Sequence, residues 1–270
     1  MIPRDFITEW RQRAPWVQDL QVEQDLVISR ALVAIFSDPL LRPALAFRGG
    51  TALYKLHMPP ARYSEDIDLV QMRAEPAGPM LEALHQVLDL WLGKPALTQN
   101  QARVTLLYRF TAEGEPPTPL KLKVETNSRE HFAVHGFKEM PFAVDSRWFT
   151  GECRIATYEL DELLGTKLRA LYQRRKSRDL FDLAIALRDP NVDPSRVVAT
   201  YATYMEHGGH KVSRAEFEQS FDGKMKSSAF RADISALLAP NYSWDIDEAA
   251  AIVSEKLISR LPGAPWKGRG

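Results

Sequence analysis

The sequence predicts an α+β protein, with a mixed α/β half up to about residue 158 and an α-helical half after it. Three observations carry this. Phe47 to Val70, FRGGTALYKLHMPPARYSEDIDLV, reads as strand, glycine turn, short helix, loop and strand. Gln101–Thr111 and Leu120–Thr126 read as two further strands, and in the second Leu120, Leu122 and Val124 alternate with Lys121, Lys123 and Glu125, the period of a half-buried strand. From Glu159 onward apolar residues recur at helical spacing instead.

In chain order, Val17 to Phe36 is predicted helical, from the spacing of Val17, Leu20, Leu26, Val27, Ala31 and Ile35, and Asp38-Pro39 ends it. Leu45–Phe47 is a short strand, Thr51–Leu56 a helix stopped by His57-Met58-Pro59-Pro60, and Ser64–Val70 a strand. After a Pro- and Gly-rich loop, Met80–Leu92 is amphipathic, with Leu81, Leu84, Leu88 and Trp91 on one side. EGEPPTP, within 112–119, suits a hairpin loop. Residues 127–150 are read as irregular with one strand, and Arg154–Thr157 as another. Helices follow at Glu159–Tyr172, where Leu160, Leu163, Leu164, Leu168 and Leu171 form a stripe, and at Asp179–Leu187, Pro194–Glu206, Ser213–Phe221, Ser228–Leu238 and Asp247–Leu261.

Composition bounds the function. The 270 residues suffice for two domains, and 45% hydrophobic with 26% charged residues is the balance of a globular protein. A single cysteine, Cys153, excludes an internal disulfide framework and fits a reducing, cytoplasmic location. The N-terminal MIPRDFITEWRQR lacks the apolar stretch of a signal peptide, and no run reaches the roughly 18 apolar residues of a membrane span. Lys plus Arg and Asp plus Glu number 35 each, so any surface for nucleic acid must be a local patch.

The chemistry-bearing residues begin with Asp66 and Asp68. Two positions apart on a strand, they point the same way, and their mutual repulsion is relieved by a hard divalent cation. An Asp-x-Asp alone is more often a solvated surface; here it follows a Gly49-Gly50-Thr51 turn, whose backbone amides suit a phosphate at a helix start. No Gly-Lys-Ser/Thr follows, which disfavours a Walker ATPase. Glu125 could complete a metal site or take a proton, or simply pair with Lys123 or Lys121. Lys167, on the leucine-rich helix, could neutralise a triphosphate, against the commoner solvated lysine. Arg169, Arg174, Arg175, Lys176 and Arg178 form the densest basic cluster and a candidate RNA-binding surface, against a solvated helix end. Asp179 and Asp182 share a helix face from which they can orient these basic residues. His131, His135, His207 and His210 are read as structural.

FRGGTALYKL…RYSEDIDLV, then LKVE, then ELLGTKLRALYQRRKSRDLFDL, together resemble the AbiEii/AbiGii-type nucleotidyltransferases, the toxins of type IV toxin–antitoxin and abortive-infection systems, which include the MenT toxins. The resemblance spans roughly residues 45–190. It implies a polymerase-β-type nucleotidyltransferase core with a mixed sheet. It implies that Gly50 and Thr51, in the turn with Gly49, hold a nucleoside triphosphate, that Asp66 and Asp68 bind Mg²⁺ (or Mn²⁺), and that Glu125 takes the third strand position. Lys167 then serves the nucleotide and Asp179 lies in an Arg-Asp-x-x-Asp motif. The expected reaction releases pyrophosphate and extends a tRNA 3′ end, blocking translation, with a cognate antitoxin as partner and no membrane. Nucleotidylation of a protein hydroxyl, or a catalytically silent binding module, are the alternatives.

Overall fold

A computed structural model describes residues 2–113 and 116–268, so Gly114 and Glu115 of the expected hairpin loop lie outside the described residues. The chain divides into two compact units, Met1–Tyr158 with Ala239–Asn241, and Glu159–Leu238 with Tyr242–Gly270.

The first unit is built on a seven-stranded mixed sheet. Its strands are β1 Leu45–Arg48, β2 Asp66–Gln71, β3 Ala96–Asn100, β4 Arg103–Ala112, β5 Thr118–Asn127, β6 Phe137–Asp145 and β7 Thr150–Tyr158, in the order β3-β4-β5-β2-β1-β7-β6. The pairs β5–β2 and β2–β1 bring the motif-bearing strands together at the centre, parallel and antiparallel respectively. One face is apolar: Ile67 and Leu69, Leu122 and Val124, and Val104, Leu106, Tyr108 and Phe110 are buried. Helices α2 (Asp19–Ser37) and α4 (Ala77–Leu92) pack on the sheet, and the Tyr108 hydroxyl donates to Asp89 of α4 at 2.8 Å. The alternate residues of β4 and β5, among them Arg103, Thr105, Arg109, Lys121, Lys123 and Glu125, lie on the other face and are exposed or half-buried.

Local chemistry explains most boundaries. Helix α2 stops where Asp38, extended before Pro39, caps the next turn by accepting from the Leu40 and Leu41 amides at 2.9 Å each. Its buried Asp25 accepts from the indoles of Trp10 (2.8 Å) and Trp16 (3.1 Å) and from Lys55 (2.6 Å). Trp10 ends α1 (Arg4–Trp10), which the sequence pattern does not mark. Strand β3 is likewise unannounced, since all five of its residues are exposed and none alternates in polarity. The segment read as mostly irregular forms the long β6–β7 hairpin instead, with register running from Phe137↔Tyr158 to Asp145↔Thr150. Pro141 sits within β6, tolerated because β6 is an edge strand.

The second unit contains α5 (Leu160–Gln173), α6 (Ser177–Ala186), α7 (Pro194–His207), α8 (Arg214–Met225), α9 (Ser228–Ala232) and α10 (Ile246–Lys256). Leu163, Leu164, Leu168 and Leu171 are buried as the stripe requires. Gly165 of α5 meets Thr200 of α7 so closely that a Cβ there would lie 2.6 Å from the Thr200 side chain. The helix expected over 228–238 stops at Ala232, because after a 3₁₀ turn at Ser235–Leu237 the chain becomes extended at Leu238. The one expected to reach Leu261 stops at Lys256, where Leu257 leaves helical geometry before a second 3₁₀ turn.

Candidate active site

Strand β1 ends at Arg48 and turns at Gly49, whose φ of +83° favours glycine over any residue with a side chain. The turn enters α3 (Gly49–Ala52), continued by a wider π turn over Leu53–His57. A Cβ on Gly49 would lie 2.2 Å from Asp68 Oδ2, and one on Gly50 would lie 2.6 Å from Arg62 Nη2. The two glycines thus leave room for a carboxylate in front of the turn and a buried guanidinium against it. The Thr51 hydroxyl is buried; it donates to the Asp66 carbonyl at 2.5 Å and sits 2.9 Å from the Ser64 hydroxyl. Thr51 therefore pins the start of β2 to the turn. The first-turn amides of a helix have no intrahelical acceptor, so those of Gly50 and Thr51 remain available to an anion.

Register supplies the rest. Asp68 stands opposite Arg48 on β1 and opposite Glu125 on β5, and Asp66 stands opposite Lys123. Lys123 Nζ lies 2.9 Å from Asp66 and 3.7 Å from Glu125, whose other oxygen is 3.2 Å from Arg103. Arg48 pairs with Glu130 at 2.8 Å. Burial and then the neighbouring Asp66 push the Asp68 carboxyl above the usual aspartate range, although Arg48 and Lys123 oppose this. Burial alone would lower the Lys123 ammonium, but the hydrogen bond and charge of Asp66 raise it.

A divalent cation fits Asp66 and Asp68 on two counts. The donors are hard carboxylate oxygens, and after burial, which does most to raise the Asp68 carboxyl, comes repulsion from Asp66, which such a cation relieves. Glu125 is engaged by Arg103 and Lys123, and among the described residues no three His, Cys, Asp or Glu side chains converge as a metal cluster.

In the second unit, Lys167 is buried within α5, with Nζ 2.8 Å from Asp182 and 3.3 Å from Asp179 of α6. Arg174 grips both Asp179 oxygens, at 2.6 and 2.7 Å. Burial would raise the Asp179 carboxyl, but Lys167 and Arg174 hold it below its ordinary value. The basic cluster is divided in its engagements. Arg174 is tied to Asp179, Lys176 pairs with Asp233 at 2.9 Å, and Arg169 lies over the Tyr204 ring at 4.9 Å. Arg175 is exposed with no acidic partner among the described residues, and Arg178 is half-buried. His131 accepts a structural role, with its ring nitrogen 2.8 Å from the Gln71 carbonyl.

Sequence reasoning passed over Arg48, Arg62 and Arg103. Arg62 and Ser64 stand within the quoted RYSEDID run, two residues apart on one side of the chain, which was a usable signal. Arg48 and Arg103 owe their places to cross-strand register, which no local pattern encodes.

A family model described as "Nucleotidyl transferase AbiEii toxin, Type IV TA system" matches residues 30–252. No curated protein matches the chain in sequence. Among solved structures, MenT4, a nucleotidyltransferase toxin from Mycobacterium tuberculosis H37Rv, is similar over 97% of this chain and 91% of its own, with TM-score 0.65 at 17% identity. A candidate nucleotidyltransferase from H. pylori is similar over 89% and 94%, with TM-score 0.53 at 16% identity. At these identities the likeness establishes the nucleotidyltransferase fold.

Proposed function

Because the chain belongs to the AbiEii nucleotidyltransferase toxin family of type IV toxin–antitoxin systems, we propose that it transfers a nucleotide from a nucleoside triphosphate to the 3′ end of a tRNA in the cytoplasm, and so blocks translation. The observation that carries this reading is the carboxylate pair Asp66 and Asp68 set against the Gly49 turn, with Asp68 Oδ2 where a side chain at residue 49 would stand. The family implies a nucleoside triphosphate as substrate and an antitoxin as partner.

The residues divide the work as follows. The amides of Gly50 and Thr51 bind triphosphate oxygens, and Thr51 fixes β2 beside them through the Asp66 carbonyl. Asp66 and Asp68 would hold Mg²⁺, with Mn²⁺ as a substitute, and the ion supplies charge neutralisation to the triphosphate. Arg48 and Lys123, both held protonated, limit the negative charge that accumulates there. Glu125, steadied by Arg103, accepts the proton of the acceptor hydroxyl. That hydroxyl oxygen bonds to the α-phosphorus, the bond to the bridging oxygen breaks, and pyrophosphate leaves.

The test is incubation of the chain with total tRNA and each of the four NTPs, separately labelled, with and without Mg²⁺. Label on the RNA 3′ end, only with Mg²⁺, supports the reading. Label on protein alone, or none with any nucleotide, overturns it.

A further inference from the structure

The sheet face bearing the carboxylates continues outward over β4 and β5. Its residues there are Arg103, Thr105, Leu107, Arg109 and Thr111 from β4 and Lys121, Lys123, Glu125 and Asn127 from β5. Four are cations and one is an acid. Arg103 and Lys123 are occupied by Glu125 and Asp66. Arg109 and Lys121 differ: they are exposed, stand directly opposite each other in the ladder, and neither has an acidic partner among the described residues. Like charges opposite each other in a sheet destabilise it. An oppositely charged or neutral pair would serve the fold better, so this placement favours an anionic partner. Farther along the same face, beside Thr105 and Arg103, β3 contributes Thr98 and Asn100, so the face offers hydroxyl and amide groups and no further acid from β3 or β4. The chain's net charge is zero, which makes this local excess a feature of the face and not of the whole surface.

Distance gives the face a direction. Lys121 is four residues from Glu125 along β5, roughly 13 Å at strand rise. Lys123 stands between them. A phosphate chain entering at Arg109 and Lys121 therefore runs along β5 toward the carboxylates, and its terminal hydroxyl reaches Glu125. We propose that the open face of β4 and β5 is the docking surface for the RNA acceptor strand, with Arg109 and Lys121 binding its phosphates upstream of the reacting 3′ hydroxyl. The inference rests on the nucleotidyl-transfer reading and adds where the acceptor lies. Phosphate contacts of this kind are sequence-independent and salt-dependent.

The experiment uses the full chain and total tRNA, comparing wild type with Arg109→Gln, Lys121→Gln, the double variant and Arg175→Gln, with binding measured between 50 and 200 mM salt. Each single variant at the β4–β5 face weakens tRNA binding several-fold. The double variant lowers the slope of log affinity against log salt by about 1.4, at about 0.7 per phosphate contact with a single strand. Calorimetric NTP affinity stays at the wild-type value, and Tm is unchanged or higher because the repulsion is gone, which separates lost docking from lost folding. Wild-type tRNA affinity and salt slope in the double variant, or a loss confined to Arg175→Gln, overturns the docking surface. Absence of RNA labelling by the wild-type chain overturns the acceptor reading beneath it, so the two failures are distinguishable.

Discussion

At Gly49 a methyl group would collide with the Asp68 carboxylate, and the residue would be held at a φ of +83°. Gly49→Ala should therefore cost more than about 1 kcal/mol of stability and also displace Asp68, so that transfer falls further than the Tm shift explains; equal Tm and full activity would remove Gly49 from the site. Asp68→Asn acts in the opposite sense on stability. Its carboxyl is held above the ordinary range by burial and by Asp66, so the folded state binds this proton more tightly than the unfolded state does. The stability it contributes is present below the unfolded aspartate pKa and lost as pH rises through the raised value. Asp68→Asn should thus abolish transfer while leaving Tm at pH 7 equal or higher and flattening its decline above the carboxylate range. Tm profiles of the two proteins between pH 3 and 7 check the sign, and parallel profiles would contradict it.

At the scale of elements, α5 and α6 are joined by a buried charge network that makes Lys167 more than a solvated lysine. Lys167→Met leaves Asp179 and Asp182 buried with one cation fewer, which costs about 3–5 kcal/mol; chemical denaturation should read this directly. Turnover loss in that variant would mix folding with chemistry. Lys167→Arg keeps the charge, so a fall in kcat with Tm retained would assign Lys167 to the reaction. The same helix crosses α7 at Gly165, and Gly165→Ala should cost about 1–3 kcal/mol by forcing the helices apart at Thr200. Elements with their own periodicity were readable in sequence: β5 by alternation, α5 by its leucine stripe, and the Gly49–Asp68 turn by its motif. Those made by their neighbours were not. Strand β3 has five exposed residues and exists because β4 offers it an edge. Strand β6 carries a proline that local reading takes as a breaker. The candidate site divides the same way. Asp66, Asp68, Glu125 and the turn are visible as residue types at a spacing, whereas Arg48 and Arg103 become members only once Arg48↔Asp68 and the β4–β5 ladder are formed.

At the scale of the whole molecule, the family match runs from α2 to α10 and so takes in both compact units. The carboxylate pair and phosphate turn belong to the first, the Lys167 network to the second. No helix among the described residues is long and apolar enough to cross a membrane. Metal-dependent RNA nucleotidyl transfer by this family member is proposed to rest on Asp66 and Asp68. Its most direct measurement is transfer of label from α-labelled NTP to tRNA by wild type, Asp66→Asn and Asp68→Asn in the presence of Mg²⁺, each protein first shown folded by its Tm. Labelled 3′ ends from wild type and none from either folded variant is the expected result. RNA labelled by Asp68→Asn at the wild-type rate would contradict it.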